Sequence, residues 1–211
     1  MTLLTTALDT ADWRKSVFDL YSAVRRRAAE DSPEAAHALW RDGRDRLLGG
    51  HPASPLDAGA KASFTGVPLA PYDPAYRFEA TVNDDGAGEI RNVETGTDGT
   101  VPFERLGSMV LPGLGKLALW RLKSYGGGIF LPLRDGTAGR DGGTYGAGRY
   151  LLDTVKGAHL GEGRQPGSLV IDLNFAYNPS CAYDEAWACP LPGPDNRLEA
   201  EVPVGELYGG Y

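Results

Sequence analysis

The apolar pattern of this chain changes period once, at His51-Pro52-Ala53-Ser54-Pro55, and that change limits the folds open to it. Two prolines in five residues stop a helix, because each lacks an N–H and its ring clashes with the turn before it. Ahead of them, Trp13, Val17, Leu20, Tyr21 and Val24 recur with the 3.6-residue period of a helix burying one face. Thr10 offers a hydroxyl to cap its first amides. A second helix is predicted from Ser32, with Pro33 at its first position, Ala36, Leu39, Trp40 and Leu47 along its stripe, and Gly49-Gly50 as its stop. Residues 10–49 therefore read as a helical hairpin. Its stripe, carrying Trp13 and Trp40, must pack on something, and the region that follows is the one large enough.

Beyond the prolines the period becomes that of strands. Tyr76, Phe78, Ala80 and Val82 alternate with Arg77, Glu79, Thr81 and Asn83, and Asn83-Asp84-Asp85-Gly86 then turns the chain. Further strands are predicted at Ser63 to Val67, Glu89 to Glu94, Gly107 to Leu111, Gly115 to Lys123, Gly128 to Arg134, Ser168 to Phe175 and Leu198 to Val204. Short strands without helices between them form antiparallel sheets, so the fold class is α+β, mainly β: the hairpin packed on an antiparallel β sandwich or barrel. With 211 residues, 42% of them apolar, the chain can bury one full core. It is read as a single domain, residues 1–211, with the β region spanning 60–211. Two Gly-rich connections, Asp135 to Gly148 and Gly157 to Gly167, are long enough to carry binding, or to be plain surface insertions.

A formal net charge of −7 with no concentrated basic face argues against nucleic acid as a partner, and Arg25 to Arg27 reads as a solvated helix face. No apolar run approaches the roughly 18–20 residues that cross a bilayer, and the first ten residues lack a basic-then-apolar leader, so a cytoplasmic protein with no membrane partner is expected. Cys181 and Cys189 match neither zinc nor CxxC spacing; free thiols and no metal are expected.

Several constellations could carry chemistry. The run from Gly136 to Gly148 lacks the GxxxxGK[ST] order, and Arg149-Tyr150-Leu151 after it reads as strand rather than the helix a phosphate loop needs. Arg134, Asp135, Arg149 and Asp153 bracket it, as a buried ion network or as an anion clamp. No G-x-S-x-G is present, and His37, His51 and His159 are too dispersed for a triad. Of these only His159, in a Gly-rich loop, is a catalytic candidate. The most informative stretch runs from Asp172 to Tyr183. By strand period, Leu169, Ile171, Leu173 and Phe175 share one face and Asp172 and Asn174 the other. Tyr177, Asn178 and Tyr183 add polar groups around an Asn-Pro turn, suited either to a small polar ligand or to satisfying a proline-broken backbone.

At these residues the chain resembles the family of proteins of unknown function DUF1684. The matching features are Trp13, Leu39-Trp40-Arg41, Arg44-Asp45, His51-Pro52 with Ser54-Pro55-Leu56, Tyr72-Asp73-Pro74, Pro132 with Arg134-Asp135, Thr144-Tyr145 with Gly148-Arg149-Tyr150, the Asp172 to Tyr183 run, Cys189-Pro190, Asn196 and Gly205-Glu206. Leu133 and Leu173 stand where the family usually has phenylalanine, and Gly193 where it has proline. The resemblance brings no reaction or ligand with it.

The leading reading is a β protein that binds a small polar or anionic molecule between the Gly-rich loop and the Asn-Pro-Cys segment, with or without enzymatic chemistry. Arg134, Arg149 and Tyr145 would orient the ligand, with Asn174, Tyr177, Asn178 and Tyr183 around it. Asp172 would accept a proton, provided burial lifts its pKa toward working pH. No cofactor is expected. Two alternatives stand beside it: a metal or redox protein using Cys181, Cys189 and His159, and a non-catalytic interaction module built on the hairpin.

Overall fold

In the computed structural model, which describes residues 2–95 and 99–210, the hairpin is longer than its apolar period indicates. Helix α1 runs Leu3–Glu30, with the Thr2 side chain accepting from the Thr5 amide at 3.1 Å. Thr10 is not the cap: its hydroxyl donates to the Thr6 carbonyl inside the helix at 2.8 Å. The added turns bury nothing, since Leu3, Leu4 and Leu8 are exposed, and so they leave no periodic signature. Helix α2, Pro33–Gly50, starts and stops where expected, capped by Ser32 and followed by His51. The helices approach closely at Gly43, where a Cβ would lie 2.4 Å from Leu20 Cδ1. Trp40 Nε1 donates to the buried Tyr21 hydroxyl at 3.1 Å, which fixes the pair in one register.

The expected strand at Ser63 to Val67 is absent. A short helix α3, Ala58–Ser63, takes its start, with Asp57 accepting from the Ala60 amide. The Val67 amide donates to Asp45 Oδ1 on α2 at 2.9 Å instead of to a strand neighbour.

Seven strands follow: β1 Arg77–Thr81, β2 Ile90–Thr95, β3 Gly99–Leu111, β4 Gly115–Leu122, β5 Ile129–Leu133, β6 Arg149–Asp153 and β7 Ser168–Asp172. Strands β2 to β6 form an antiparallel meander in chain order, and β1 pairs antiparallel with β7 as a two-stranded ribbon. Isolated bridges tie the ribbon to the meander at both ends, Asn83 to Ser108 on β3 and Tyr177 to Tyr150 on β6. The hydrogen-bonded circuit is that of a partly closed barrel. Its closure depends on Gly107: the β3–β4 register shifts there, its φ is +148°, and a Cβ would sit 1.9 Å from the Asn83 carbonyl oxygen. Tyr21, Val24, Ala36 and Trp40 from the hairpin join Met109, Leu117, Leu131, Leu151 and Ile171 from the strands in one buried cluster.

Two predicted strand ends differ. Leu173–Phe175 is a 3-10 turn rather than the end of β7, so Leu173, Asn174 and Phe175 are all buried and the two-face alternation stops at Asp172. Leu198 to Val204 forms no strand. Leu198 and Asn196 bond to the Arg134 backbone, Pro203 has no N–H to give, and the Val202 and Val204 carbonyls accept from Arg149. Among the described residues no helix is long and apolar enough to cross a membrane.

Candidate functional site

Three polar networks decide what the candidate residues can do. In the first, Asp172 at the end of β7 is wholly buried. Its Oδ1 accepts from the Asn174 amide at 3.1 Å and from Asn174 Nδ2 at 2.8 Å, and its Oδ2 from the Tyr72 hydroxyl at 3.1 Å, with Arg77 Nη1 at 3.5 Å. Asn174 is equally occupied: Oδ1 accepts from the Asp73 amide at 2.8 Å, Nδ2 donates to the Asp73 carbonyl at 2.9 Å, and its own carbonyl meets His37 Nε2 at 2.9 Å. Burial raises the Asp172 pKa, as a general base requires, while the bonds from Asn174 and the Arg77 charge pull the other way. Every oxygen of this carboxylate is engaged by protein donors, and the unit cross-links the ribbon to the Tyr72-Asp73-Pro74 segment.

In the second network, Arg149 and Asp135 form a fully buried ion pair at 3.0 Å. Arg149 Nη2 also donates to the Val202 carbonyl at 3.0 Å, and Nη1 to the carbonyls of Val204 and Glu206. Asp135 Oδ1 accepts from the Thr137 amide at 2.8 Å and Oδ2 from the Thr144 hydroxyl at 2.9 Å, so the carboxylate clasps the Gly-rich loop. Burial works against the charge on each partner; the Arg149 charge and the threonine bonds hold Asp135 below the usual carboxylate range. Of the four bracketing charges only these two meet: Asp153 pairs with Lys156, and Arg134 Nε donates to the Gly146 carbonyl at 2.8 Å. Arg149 and Asp135 form a buried network, with Arg149 Nε a buried donor that has no partner among the described residues, while Arg134 is part-buried and bonds through Nε.

The third network centres on Glu206, a buried residue that the sequence patterns did not single out. Its Oε1 accepts from Arg44 Nε at 2.5 Å; its Oε2 accepts from Arg44 Nη2 at 3.0 Å, the Asn178 amide at 2.7 Å and the Tyr183 hydroxyl at 3.2 Å. Burial opposes the Arg44 charge, but the Glu206 carboxylate outweighs it and holds that guanidinium above its ordinary pKa. Arg44 also lies 4.9 Å from the Tyr177 ring centroid. Helix α2 is thereby bolted to the C-terminal segment.

Beside this network lies a cavity of about 60 Å³ between the hairpin and the β region. Trp13, Tyr21 and Leu48 line it from the helices, Tyr150 and Lys156 from β6 and the turn after it, and Tyr177, Asn178, Ser180 and Tyr183 from the Asn-Pro segment. Asn178 is 2% exposed, and its Nδ2 donates to the Leu207 carbonyl at 3.1 Å, an acceptor that fixes which way the amide faces. Its Oδ1 is buried and accepts no hydrogen bond among the described residues. Burial pushes the Tyr21, Tyr150 and Tyr177 hydroxyls up, so they stay protonated at neutral pH. The nearby charges are compensated, Arg44 by Glu206 and Lys156 by Asp153 at 3.2 Å.

Of the sequence-predicted site residues, the cavity brings together Tyr177, Asn178 and Tyr183. Arg134, Arg149, Asp172 and Asn174 stand elsewhere in the networks above. Tyr145 donates to the Cys181 carbonyl at 3.0 Å, which joins the Gly-rich loop to the Asn-Pro-Cys segment, and burial raises its pKa to about 12. His159 is half-buried at the hairpin, where Arg25 donates to its carbonyl; burial, then the Arg25 charge, lower its pKa. No three His, Cys, Asp or Glu side chains among the described residues are placed to hold a metal ion. Trp13, Tyr21, Arg44, Lys156 and Glu206 were not named as site residues. For Trp13, Arg44 and Glu206 the family motifs that contain them were the available signal.

The chain belongs to the family described as proteins of unknown function DUF1684, whose family model matches residues 62–207. That match covers the β region and the cavity's Asn-Pro wall, while the motif residues from Trp13 to Leu56 precede it. The chain is also similar to the solution NMR structure of an uncharacterized protein from Haloarcula marismortui, at 31% identity and a TM-score of 0.56, over 85% of this chain and 96% of that one. No curated protein matches the chain.

Proposed function

We propose that the protein binds a small molecule in the cavity between the helical hairpin and the Asn-Pro segment. The observation that carries this is an aromatic-lined cavity with Asn178 in its wall, a residue whose buried Oδ1 has no protein partner among the described residues. Leaving such an atom unpaired costs about 1–3 kcal/mol, which a ligand's N–H or O–H recovers. The compensated charges favour a neutral polar group over an anion. Size narrows it further: a cavity of roughly 150 Å³ takes a benzene ring, so about 60 Å³ takes the head of a ligand, a group of a few non-hydrogen atoms. Lys156 is exposed and Trp13 only half-buried, leaving room for a longer tail on that side.

The test compares N-methylacetamide with methyl acetate, nearly isosteric molecules that differ in the N–H. Chemical-shift titration should show the amide binding about tenfold more tightly, the equivalent of roughly 1.4 kcal/mol, with shifts at Asn178 and Trp13. Asn178→Leu should abolish the preference and leave methyl acetate binding in place. Equal affinity for the two, or ordered water alone in the cavity, would refute the reading. Native mass spectrometry of the purified protein then identifies any molecule retained.

A further inference from the structure

Three residues of the cavity wall, Arg44, Asn178 and Tyr183, are held by one carboxylate outside the wall, that of Glu206. Its Oε2 accepts from Arg44 Nη2 at 3.0 Å and from the Asn178 amide at 2.7 Å, so a single oxygen brings the guanidinium and Asn178 together. The backbone around Glu206 is fixed as well: its amide donates to the Ala176 carbonyl at 2.9 Å, and the Leu207 amide to the Pro68 carbonyl at 2.8 Å. The Leu207 carbonyl in turn accepts from Asn178 Nδ2 at 3.1 Å. Consecutive residues therefore grip Asn178 by its main-chain and side-chain N–H groups, and Oδ1 is the side-chain atom left over.

Arg44 is used in a similar way. Nε and Nη2 go to Glu206, and Nη2 also reaches the Tyr183 hydroxyl at 3.4 Å, while Nη1 has no hydrogen-bond partner among the described residues. A guanidinium in a cavity wall is ordinarily a carboxylate site, because the two meet through charge-assisted bonds. Here the charge is already met by Glu206, whose side chain is 2% exposed against 13% for Arg44.

We propose that Glu206 is the specificity determinant of the cavity and makes it select a carboxamide over the corresponding carboxylate; this rests on the binding reading above. A carboxamide offers an N–H to Asn178 Oδ1 and a C=O to Arg44 Nη1, and it brings no charge. A carboxylate has no N–H for Asn178, and its charge opposes that of Glu206 in a partly buried space where salt screens little. Glu206 acts through Arg44 and Asn178, which makes it a positioning residue. A site built this way tells an amide from the acid that its hydrolysis yields.

Sodium acetate is the probe, titrated beside N-methylacetamide and methyl acetate at pH 7 and matched ionic strength, with binding read from chemical shifts. Wild type should bind acetate at least about tenfold more weakly than N-methylacetamide. In Glu206→Gln the ratio of acetate to methyl acetate affinity should rise by more than about tenfold, because Arg44 keeps its charge and loses its partner. The ratio is the readout, since a cavity merely loosened by the substitution shifts both probes together. Adding Arg44→Gln should return the ratio to the wild-type value. Acetate bound by wild type as tightly as N-methylacetamide, or a ratio unmoved in Glu206→Gln, would overturn the assignment; where that variant does not fold, the wild-type comparison decides alone. Equal affinity of wild type for N-methylacetamide and methyl acetate overturns the binding reading itself, so the two failures are told apart.

Discussion

Replacing Asp172 separates a carboxylate that does chemistry from one that holds the fold. In Asp172→Asn the amide oxygen can take the Oδ1 position, still accepting from the Asn174 amide and Nδ2. The new NH₂ then faces the Tyr72 hydroxyl, which can reverse and accept, while Arg77, partly exposed, swings to solvent. Four charge-assisted contacts become neutral or vanish, but the cost of burying the charge also disappears. We expect a net loss of about 1–2 kcal/mol. Asp172→Ala is worse, because the buried Asn174 N–H loses its one partner among the described residues while Asn174 Nδ2 keeps the Asp73 carbonyl; about 2–4 kcal/mol is expected. Urea midpoints at pH 7, with unchanged slopes, measure both. N-methylacetamide should bind each folded variant as it binds wild type, since Asp172 is not part of the cavity wall. A variant that keeps the wild-type midpoint and loses ligand would sink this reasoning and return Asp172 to the role of a general base.

Acid should weaken the fold through His37, which burial, against the bond to the Asn174 carbonyl, holds at about 4. Its folded pKa lies below the unfolded value near 6.5, so the unfolded chain binds the proton first and stability falls from about pH 6.5 downward, by about 3 kcal/mol at pH 4. His37→Gln should flatten that limb of a pH–stability curve; an unaltered limb would refute the assignment. Gly157→Ala should cost roughly 2–4 kcal/mol, because φ is +86° and a Cβ would lie 2.9 Å from the Phe18 Cα and N on α1; a melting temperature equal to wild type would show that the helix can retreat freely. Deleting residues 1–50 should leave an aggregating β region, since Trp40 and Tyr21 leave a cluster shared with Met109 and Ile171, and burying Trp40 alone contributes about 2–3 kcal/mol. A monomeric truncation with the full-length melting temperature would make the hairpin a separate module.

Local rules carried much of the architecture. The Ser32-Pro33 start of α2, the break at the two prolines and the alternation of β1 follow from capping, missing donors and side-chain period, which operate within a few residues. The same locality explains the misses: solvated turns such as Leu3 to Leu8 leave no period, and a helix of six residues is too short to show one. Site chemistry was less legible. The sequence supplied the polar types in the Asp172 to Tyr183 run, and three of those singled out, Tyr177, Asn178 and Tyr183, line the cavity together with Ser180. What it could not supply was the pairing of Asp172 with Tyr72, Arg149 with Asp135, or Arg44 with Glu206, partners up to 162 positions apart in the chain. Whether a carboxylate is a base or a strut depends on which donors reach it, and whether Asn178 is satisfied depends on counting partners drawn from separate segments. Those are properties of closure, and only the tertiary structure decides them.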